Sequence, residues 1–228
     1  MHSFNSPDEL AKNLADFIIK RLAHGIEDNN HASLVVSGGT TPKPLFEALS
    51  GRSLNWRKVT ITLADERWVD SDDPESNERL IKKYLLQDKS QEARFIGLKN
   101  NAATAGNGEA TCHNLLKTIP RPFDVVILGM GNDGHTASLF PGARQLAQAM
   151  DKRSSATCLT LSPEGASLER MTLTLPVLLD AKQIIIHITG SEKRTVLQLA
   201  MADGPESEMP IRAFLRQNTI PVRIYWAP

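Results

Sequence analysis

Residues 123–135 read Phe-Asp-Val-Val-Ile-Leu-Gly-Met-Gly-Asn-Asp-Gly-His, an apolar run that ends abruptly in a glycine-rich loop. The apolar run over residues 123–128 predicts a buried strand. The three glycines in the following six residues leave the backbone free to approach a ligand closely. A strand that leads into such a loop is typical of α/β proteins, which bind ligands beyond the carboxyl ends of their strands.

The same alternation of helix and strand signals continues along the chain. Helices are predicted near residues 8–24, 76–87, 102–118, 191–202 and 209–216, with a further one after Pro42. Strands are predicted near residues 32–37, 59–63, 123–128, 157–161, 171–175, 184–189 and 222–226. We therefore expect one α/β domain over residues 1–228, with a mostly parallel, twisted sheet flanked by helices in a Rossmann-like arrangement.

The composition narrows the classes of function. The chain has 26 basic and 26 acidic side chains and a formal net charge of zero, which argues against a general attraction to nucleic acid or to anionic membranes. We find neither a signal-peptide pattern nor an apolar stretch long enough to span a bilayer. Cys112 and Cys158 lack metal-site spacing, so both are interpreted as reduced structural thiols. The sequence predicts a cytoplasmic protein without a metal or a cofactor.

The loop from Ser37 to Pro42 follows the first predicted strand and leads into a helix, with Thr41 as the predicted N-cap. Its glycines allow an anion to approach the backbone, and the hydroxyls and the helix N-terminus offer donors. The loop lacks the spacings of nucleotide and dinucleotide loops, so ATP and NAD are disfavoured. An ordinary glycine-rich turn is the alternative. The residues predicted to bind phosphate are Ser37, Gly38, Gly39, Thr40 and Thr41.

Two further strand-to-helix loops carry charged side chains. Asp65 and Arg67 follow the strand at 59–63, and Arg67 could bind a phosphate or polarise a carbonyl. Lys193 and Arg194 lie in the first turn of a helix, where the helix dipole disfavours cations unless an anion binds there. The alternatives are a surface ion-pair cluster and a solvated basic face.

His135 is the leading candidate for catalysis. A histidine titrates near neutrality, so at a strand's carboxyl end it can take a proton from water or from a sugar hydroxyl. Asp133 is close enough in sequence to orient His135 or to balance its charge. The other five histidines, including His187 in a predicted strand, are interpreted as structural or solvated. A turn whose histidine only caps the next helix is the competing interpretation.

Five blocks stand in order along the chain: Ser37–Pro42, Asp65–Val69 followed by Asp73–Asn77, Leu128–Pro141, Arg170–Thr174 and Gly190–Lys193. In order and spacing together they resemble the 6-phosphogluconolactonase family of the oxidative pentose phosphate pathway. The resemblance implies the fold shared with glucosamine-6-phosphate deaminase and ribose-5-phosphate isomerase. One departure is that many members have a proline soon after the Asp-Glu-Arg block, where this chain has Val69 and Asp70.

The resemblance implies hydrolysis of 6-phospho-D-glucono-1,5-lactone, with the sugar-phosphate lactone as the binding partner and a functional coupling to glucose-6-phosphate dehydrogenase. His135 would act as general base on a water molecule, and Arg67 or backbone amides would stabilise the oxyanion. The glycine loop with Lys193 or Arg194 would hold the phosphate. No Gly-x-Ser-x-Gly signature accompanies His135, which favours direct attack by water. Whether Asp133 takes part in proton transfer stays open.

Two other functions are considered. An isomerase or deaminase of amino sugar phosphates would use Asp65 to abstract a proton, but Ala137 and its neighbours follow His135 where such deaminases are expected to have an acid. A non-catalytic phosphosugar sensor would share the fold. The joint presence of His135, Asp133 and Arg67 argues against such a sensor, whose site would be inactive.

Overall fold

Ten strands form two sheets in the computed structural model, which describes residues 1–163 and 168–228. In chain order they are β1 (His2–Ser3), β2 (Ala32–Val36), β3 (Val59–Leu63), β4 (Asp65–Arg67), β5 (Arg94–Ile96), β6 (Val125–Leu128), β7 (Cys158–Leu161), β8 (Arg170–Leu173), β9 (Ile184–Thr189) and β10 (Val222–Ala227). The main sheet has the order β1-β10-β9-β6-β2-β3-β5, and all of its pairs are parallel. This arrangement confirms the predicted mostly parallel α/β fold.

Helices connect the strands and flank the main sheet. They are α1 (Pro7–Asn29), α2 (Lys43–Ser50), α3 (Asn77–Tyr84), α4 (Ala105–Leu116), α5 (Leu146–Ala149), α6 (Leu175–Leu179), α7 (Ser191–Met201) and α8 (Arg212–Arg216). No helix among the described residues is both long and apolar enough to cross a membrane.

The first helix forms as its sequence predicts. The Ser6 side chain caps it by accepting from the Glu9 backbone N–H at 3.2 Å, and Pro7 occupies the first turn, where a missing N–H costs nothing. Its apolar residues repeat at intervals of three or four and are fully buried. They are Leu10, Leu14, Ile18 and Leu22. The helix packs through this face against α2 and β2, which holds the first strand-to-helix loop at the edge of the core.

The order of the strands creates a crevice. From β2 the chain moves outward to β3 and β5, and then returns to the other side of β2 through β6, β9 and β10. The connections after β2 and β6 therefore leave in opposite directions, although Val35 pairs with Val126 in adjacent strands. Ligands in open α/β sheets bind where the strand order reverses in this way.

The small sheet differs from the sequence prediction. The predicted strands near 157–161 and 171–175 form β7 and β8, but these pair antiparallel with each other, and β8 also pairs antiparallel with β4, in the order β4-β8-β7. An apolar period of two predicts a strand and does not specify its partner. The third strand was missed because β4 consists of Asp65, Glu66 and Arg67, which carry no apolar signal.

The predicted N-cap of the second helix was wrong. Helix α2 begins at Lys43 with Pro42 in the cap position and without a side-chain cap. The Lys43 N–H instead closes a turn onto the Thr40 carbonyl at 3.3 Å, and the Thr41 hydroxyl lies 3.4 Å from the Thr189 hydroxyl of β9. Thr41 therefore joins the glycine loop to a neighbouring strand. Ser76 caps the next helix, α3, by accepting from the Arg79 backbone N–H at 3.2 Å.

Candidate active site

A cavity of about 320 Å³ lies at the carboxyl ends of the main strands, beside the reversal between β2 and β6. The segments that follow β2, β3, β6 and β9 all contribute to its wall. Of the residues predicted for the site, those on the wall are Ser37, Gly38, Gly39, Thr40, Thr41, Asp65, Arg67, His135 and Lys193. The fold thus brings together four loops that are up to about 150 residues apart in sequence.

Asp133 and His135 form a close polar pair at the site. The Asp133 carboxylate oxygen Oδ1 lies 2.6 Å from His135 Nδ1 and also accepts the His135 backbone N–H at 3.0 Å. Partial burial pushes the pKa of Asp133 upward, but these hydrogen bonds and the attraction of the imidazole outweigh it and hold the pKa below its usual value. Because a carboxylate only accepts, Nδ1 carries the hydrogen and Nε2 keeps a free lone pair.

In the loop between β6 and His135, Gly131 stands where there is no space for a side chain. A Cβ atom on Gly131 would overlap both the His135 imidazole and the Asp133 carboxylate. The Gly131 N–H donates to the His135 carbonyl at 2.8 Å, which closes the loop. On its other side the His135 ring packs against Phe140, with ring centroids 4.1 Å apart. These contacts fix the orientation of the imidazole before any ligand binds.

The glycine loop is positioned by its neighbours rather than by a helix cap. A Cβ on Gly38 would overlap the side chain of Asn77, whose amide donates to the Asp65 carbonyl at 2.9 Å. The Ser37 hydroxyl donates to the Ile127 carbonyl at 3.1 Å, so Ser37 can only accept from a ligand. The predicted donor role of Ser37 is therefore wrong. Asn77 lines the cavity and was not selected from the sequence.

The two acids after β3 point in different directions, as alternation along a strand requires. Asp65 lies on the cavity wall and its Oδ2 accepts the Ser138 hydroxyl at 2.6 Å. Glu66 is fully buried on the other side, where it accepts from the backbone N–H groups of Asn77 and Glu78, each at 2.7 Å. Burial raises the pKa of Glu66 to about 7, against the effect of these backbone hydrogen bonds. Glu66 thus joins β4 to the start of α3.

Arg67 and Arg170 stand opposite each other on β4 and β8 and both line the cavity. Arg67 donates to the Glu75 carbonyl at 2.5 Å and lies 3.7 Å from the Glu75 carboxylate. Burial and the neighbouring Arg67 lower the pKa of Arg170. Two half-buried guanidinium groups that line one cavity favour an anionic ligand. Arg170 was not selected from the sequence, because its only signal was a place in a family block.

Lys193 and Arg194 separate on α7. Lys193 lines the cavity, and burial lowers its pKa while Glu192 and Asp133 oppose that effect. Arg194 lies outside the cavity wall, and its guanidinium packs over the Trp226 ring at 4.8 Å. Successive helical residues point about 100° apart, so only one of the two can face the cavity. The structure therefore does not bring Arg194 to the predicted phosphate site.

His187 of β9 also lines the cavity, although the sequence indicated a structural role. It is 5% exposed, and its Nδ1 has no hydrogen-bond partner within residues 1–163 and 168–228. Burial lowers the pKa of His187 to about 4. A histidine inside a strand gives no sequence signal that separates core packing from ligand contact. In the same described part of the chain, no cluster of three or more His, Cys, Asp or Glu side chains is arranged to hold a metal ion.

The fold and the cavity define an α/β protein with a cationic, histidine-containing site at the strand reversal. Residues 5–226 match the family model described as glucosamine-6-phosphate isomerases/6-phosphogluconolactonase. The chain belongs to this family.

Relatives match over nearly the whole chain. The 6-phosphogluconolactonase of Rhizobium meliloti strain 1021 is 48% identical over 228 residues, which is 100% of this chain and 98% of the relative. The 6-phosphogluconolactonase of Pseudomonas aeruginosa is 40% identical, with 99% of this chain and 93% of the relative covered. A crystal structure of a 6-phosphogluconolactonase from Shewanella baltica OS155 superposes with a TM-score of 0.97 at 44% identity, and covers 100% of this chain and 97% of that one.

We expect Gly38→Ala to destabilise the protein by about 1–3 kcal/mol, as overpacking of a filled site does. The new methyl group would displace the Asn77 amide from the Asp65 carbonyl. Urea unfolding measures the loss. Gly129→Ala is the matched control, because a Cβ there meets nothing within 4 Å and its φ is not positive. Equal unfolding midpoints for the two variants would contradict the assigned contact.

The burial of His187 predicts that part of the protein's stability is lost in acid. The folded protein keeps the imidazole neutral down to a pKa of about 4, whereas the unfolded chain binds a proton near the ordinary value of 6.5. The free energy of unfolding therefore falls as the pH drops through this window. His187→Leu should gain stability relative to wild type between about pH 7 and about pH 4.5 in urea titrations. Ile185→Leu, on the same face of β9, should follow the wild-type slope, and parallel curves for all three proteins would disprove the assignment.

Proposed function

We propose that this protein hydrolyses 6-phospho-D-glucono-1,5-lactone to 6-phosphogluconate in the oxidative pentose phosphate pathway. The observation that carries the proposal is the Asp133–His135 pair, which stands with three cationic side chains around one cavity. Relatives at up to 48% identity bear the name 6-phosphogluconolactonase, which supports the substrate. The reaction would take place in the cytoplasm and would consume the lactone that glucose-6-phosphate dehydrogenase forms.

His135 acts as the general base. With Nδ1 committed to Asp133, the free Nε2 can accept a proton from a water molecule as that water attacks the lactone carbonyl carbon C1. Asp133 is a positioning residue, because it fixes the tautomer and stabilises the imidazolium that forms. The new bond joins the water oxygen to C1, the ring C1–O5 bond breaks, and the proton returns from His135 to O5. The lactone and one water molecule together contain all the atoms of the hydroxy acid product.

The cations divide between the two ends of the substrate, the lactone carbonyl and the phosphate. Arg67 and Arg170, beside the Asp65 carboxylate, stabilise the oxyanion that develops on the lactone carbonyl. Lys193 and the backbone of the Gly38–Thr41 loop hold the phosphate. The Ser37 hydroxyl oxygen can accept only from a hydroxyl of the substrate, because the phosphate anion has no hydrogen to donate. A phosphate anchored at one end of the cavity lets binding energy from that group position C1 beside His135.

The test is to generate the lactone from glucose 6-phosphate in situ and to follow the rate of 6-phosphogluconate formation with and without the protein. Acceleration over the spontaneous rate is the expected result. Ammonia release from glucosamine 6-phosphate is measured in parallel, since turnover there would support a deaminase instead. Binding of both sugar phosphates without turnover of either would indicate the sensor and overturn the proposal.

Loss of the base should reduce kcat more than it reduces binding. We expect His135→Ala to lower kcat by about 10²–10⁴-fold with a small change in the Kd of 6-phosphogluconate. Asp133→Asn should also lower kcat, because a neutral amide cannot stabilise the imidazolium. The loss should be smaller than in His135→Ala, because the amide oxygen can still accept from Nδ1. His31→Ala, a loop histidine bonded to the Asn29 carbonyl, is the matched control and should retain full activity. A near-normal kcat in His135→Ala would exclude this residue as the base.

The neighbouring cations of α7 provide a matched pair of variants. Lys193→Ala should lower kcat/KM on the phosphorylated lactone by about 10- to 100-fold, since a hydrogen bond to a charged group contributes about 1.5–3 kcal/mol. On glucono-1,5-lactone without phosphate the same variant should lose little. Arg194→Ala should change neither substrate much, because its side chain packs on Trp226. Equal losses for the two variants on the phosphorylated lactone would contradict the assignment.

A further inference from the structure

His187 is a polar residue of the cavity that the proposed reaction does not use. It stands near the carboxyl end of β9 and is surrounded in sequence by apolar residues, Ile184–Ile186 before it and Ile188 after it. The residue lines the cavity although only 5% of it is exposed. An apolar residue would fill this strand position without a cost in hydrogen bonding, as its four neighbours do.

The strand register locates the ring between two loops of the site. Leu128 of β6 pairs with Ile186, so His187 stands level with the start of the loop that carries His135. His187 and Thr189 lie on the same face of β9, and the Thr189 hydroxyl is 3.4 Å from the Thr41 hydroxyl of the glycine loop. His187 therefore forms the part of the cavity wall between the phosphate end and the catalytic end.

The state of the ring limits what it can bind. Its Nδ1 is enclosed and has no hydrogen-bond partner in the described parts of the chain, so Nε2 is the ring nitrogen left to contact a molecule in the cavity. Burial lowers the pKa of His187 to about 4, so the ring is neutral at the pH of catalysis. A neutral Nε2 either donates or accepts, according to the tautomer. A hydroxyl group can form a hydrogen bond with either tautomer, because it both donates and accepts. A phosphate instead binds more strongly to the positive charge of Lys193.

We propose that His187 is a specificity-determining residue that forms a hydrogen bond with one ring hydroxyl of the bound lactone. This inference rests on the proposed function and deepens it, since it assigns recognition of the polyol to a residue distinct from the base and from the phosphate-binding cations. A site that pairs a buried polar group with a substrate hydroxyl discriminates against analogues that lack that hydroxyl. On substrate binding the hydroxyl pairs with Nε2, while Nδ1 stays enclosed by the protein.

The experiment combines three variants with a set of substrates. The substrates are 6-phospho-D-glucono-1,5-lactone and its three analogues that lack the hydroxyl at C2, C3 or C4. The variants are His187→Leu, His187→Gln, which restores a donor and an acceptor, and the control Ile185→Leu on the same strand face. Wild type should lose about tenfold or more in kcat/KM on one of the three analogues. His187→Leu should lose the same factor on the parent lactone and nothing further on that analogue.

The remaining readouts separate recognition from catalysis and from folding. His187→Gln should recover part of the activity, Ile185→Leu should match wild type, and the pH profile of kcat should keep its midpoint in His187→Leu. The inference is overturned if His187→Leu keeps its kcat/KM on the parent lactone, if its loss multiplies with the loss on every analogue, or if the pH midpoint moves.

Calorimetry distinguishes failure of this inference from failure of the proposed function. If wild type does not accelerate lactone hydrolysis, the proposed function fails. Weaker binding of 6-phosphogluconate by His187→Leu than by Ile185→Leu would still support the hydroxyl contact, and equal binding would overturn it.

Discussion

The site depends on the reversal of strand order between β2 and β6. Parallel strands expose their carboxyl ends at one edge of the sheet, and the chain leaves β2 in one direction and β6 in the other. The connecting segments therefore cannot cover the gap between these two strands. Every group assigned to the reaction stands on the wall of this gap or, like Asp133, one hydrogen bond behind it. The apolar sheet below holds these groups rigidly.

Around this gap, close packing orients the side chains of the site. Gly131 leaves space for the His135 imidazole, and Gly38 leaves space for Asn77. Glu66 uses its buried carboxylate to attach α3 to the small sheet that carries Arg67 and Arg170. Such contacts support catalysis because preorganised groups need not rearrange as charge develops. The small antiparallel sheet thereby brings Arg67 and Arg170 to the cavity wall.

Much of the fold was predictable because its signals are local. Apolar periodicity located α1, β2, β3, β6, β9 and β10, and the glycine-rich loops marked the ends of two strands. The pairing of β4, β7 and β8 was not predictable, since three charged residues carry no strand signal and a strand's partner is a matter of long-range contact. The same limit applied to Arg194 and His187. Arg194 has the charge expected of a ligand-binding residue but packs on Trp226 outside the cavity wall. His187 lies in an apolar strand typical of the core but lines the cavity.

The sequence by itself determined the class of fold, the four loops that line the site and the choice of His135 as the candidate base, because each depends on residues adjacent in the chain. The Asp133–His135 contact spans two residues and needs only its own loop. Tertiary structure alone decided which cations face the cavity. It also decided that the Ser37 hydroxyl donates to the Ile127 carbonyl and that Nδ1 of His187 has no partner among the described residues. The physical reason is that burial, partner and direction of a side chain are set by segments distant in sequence.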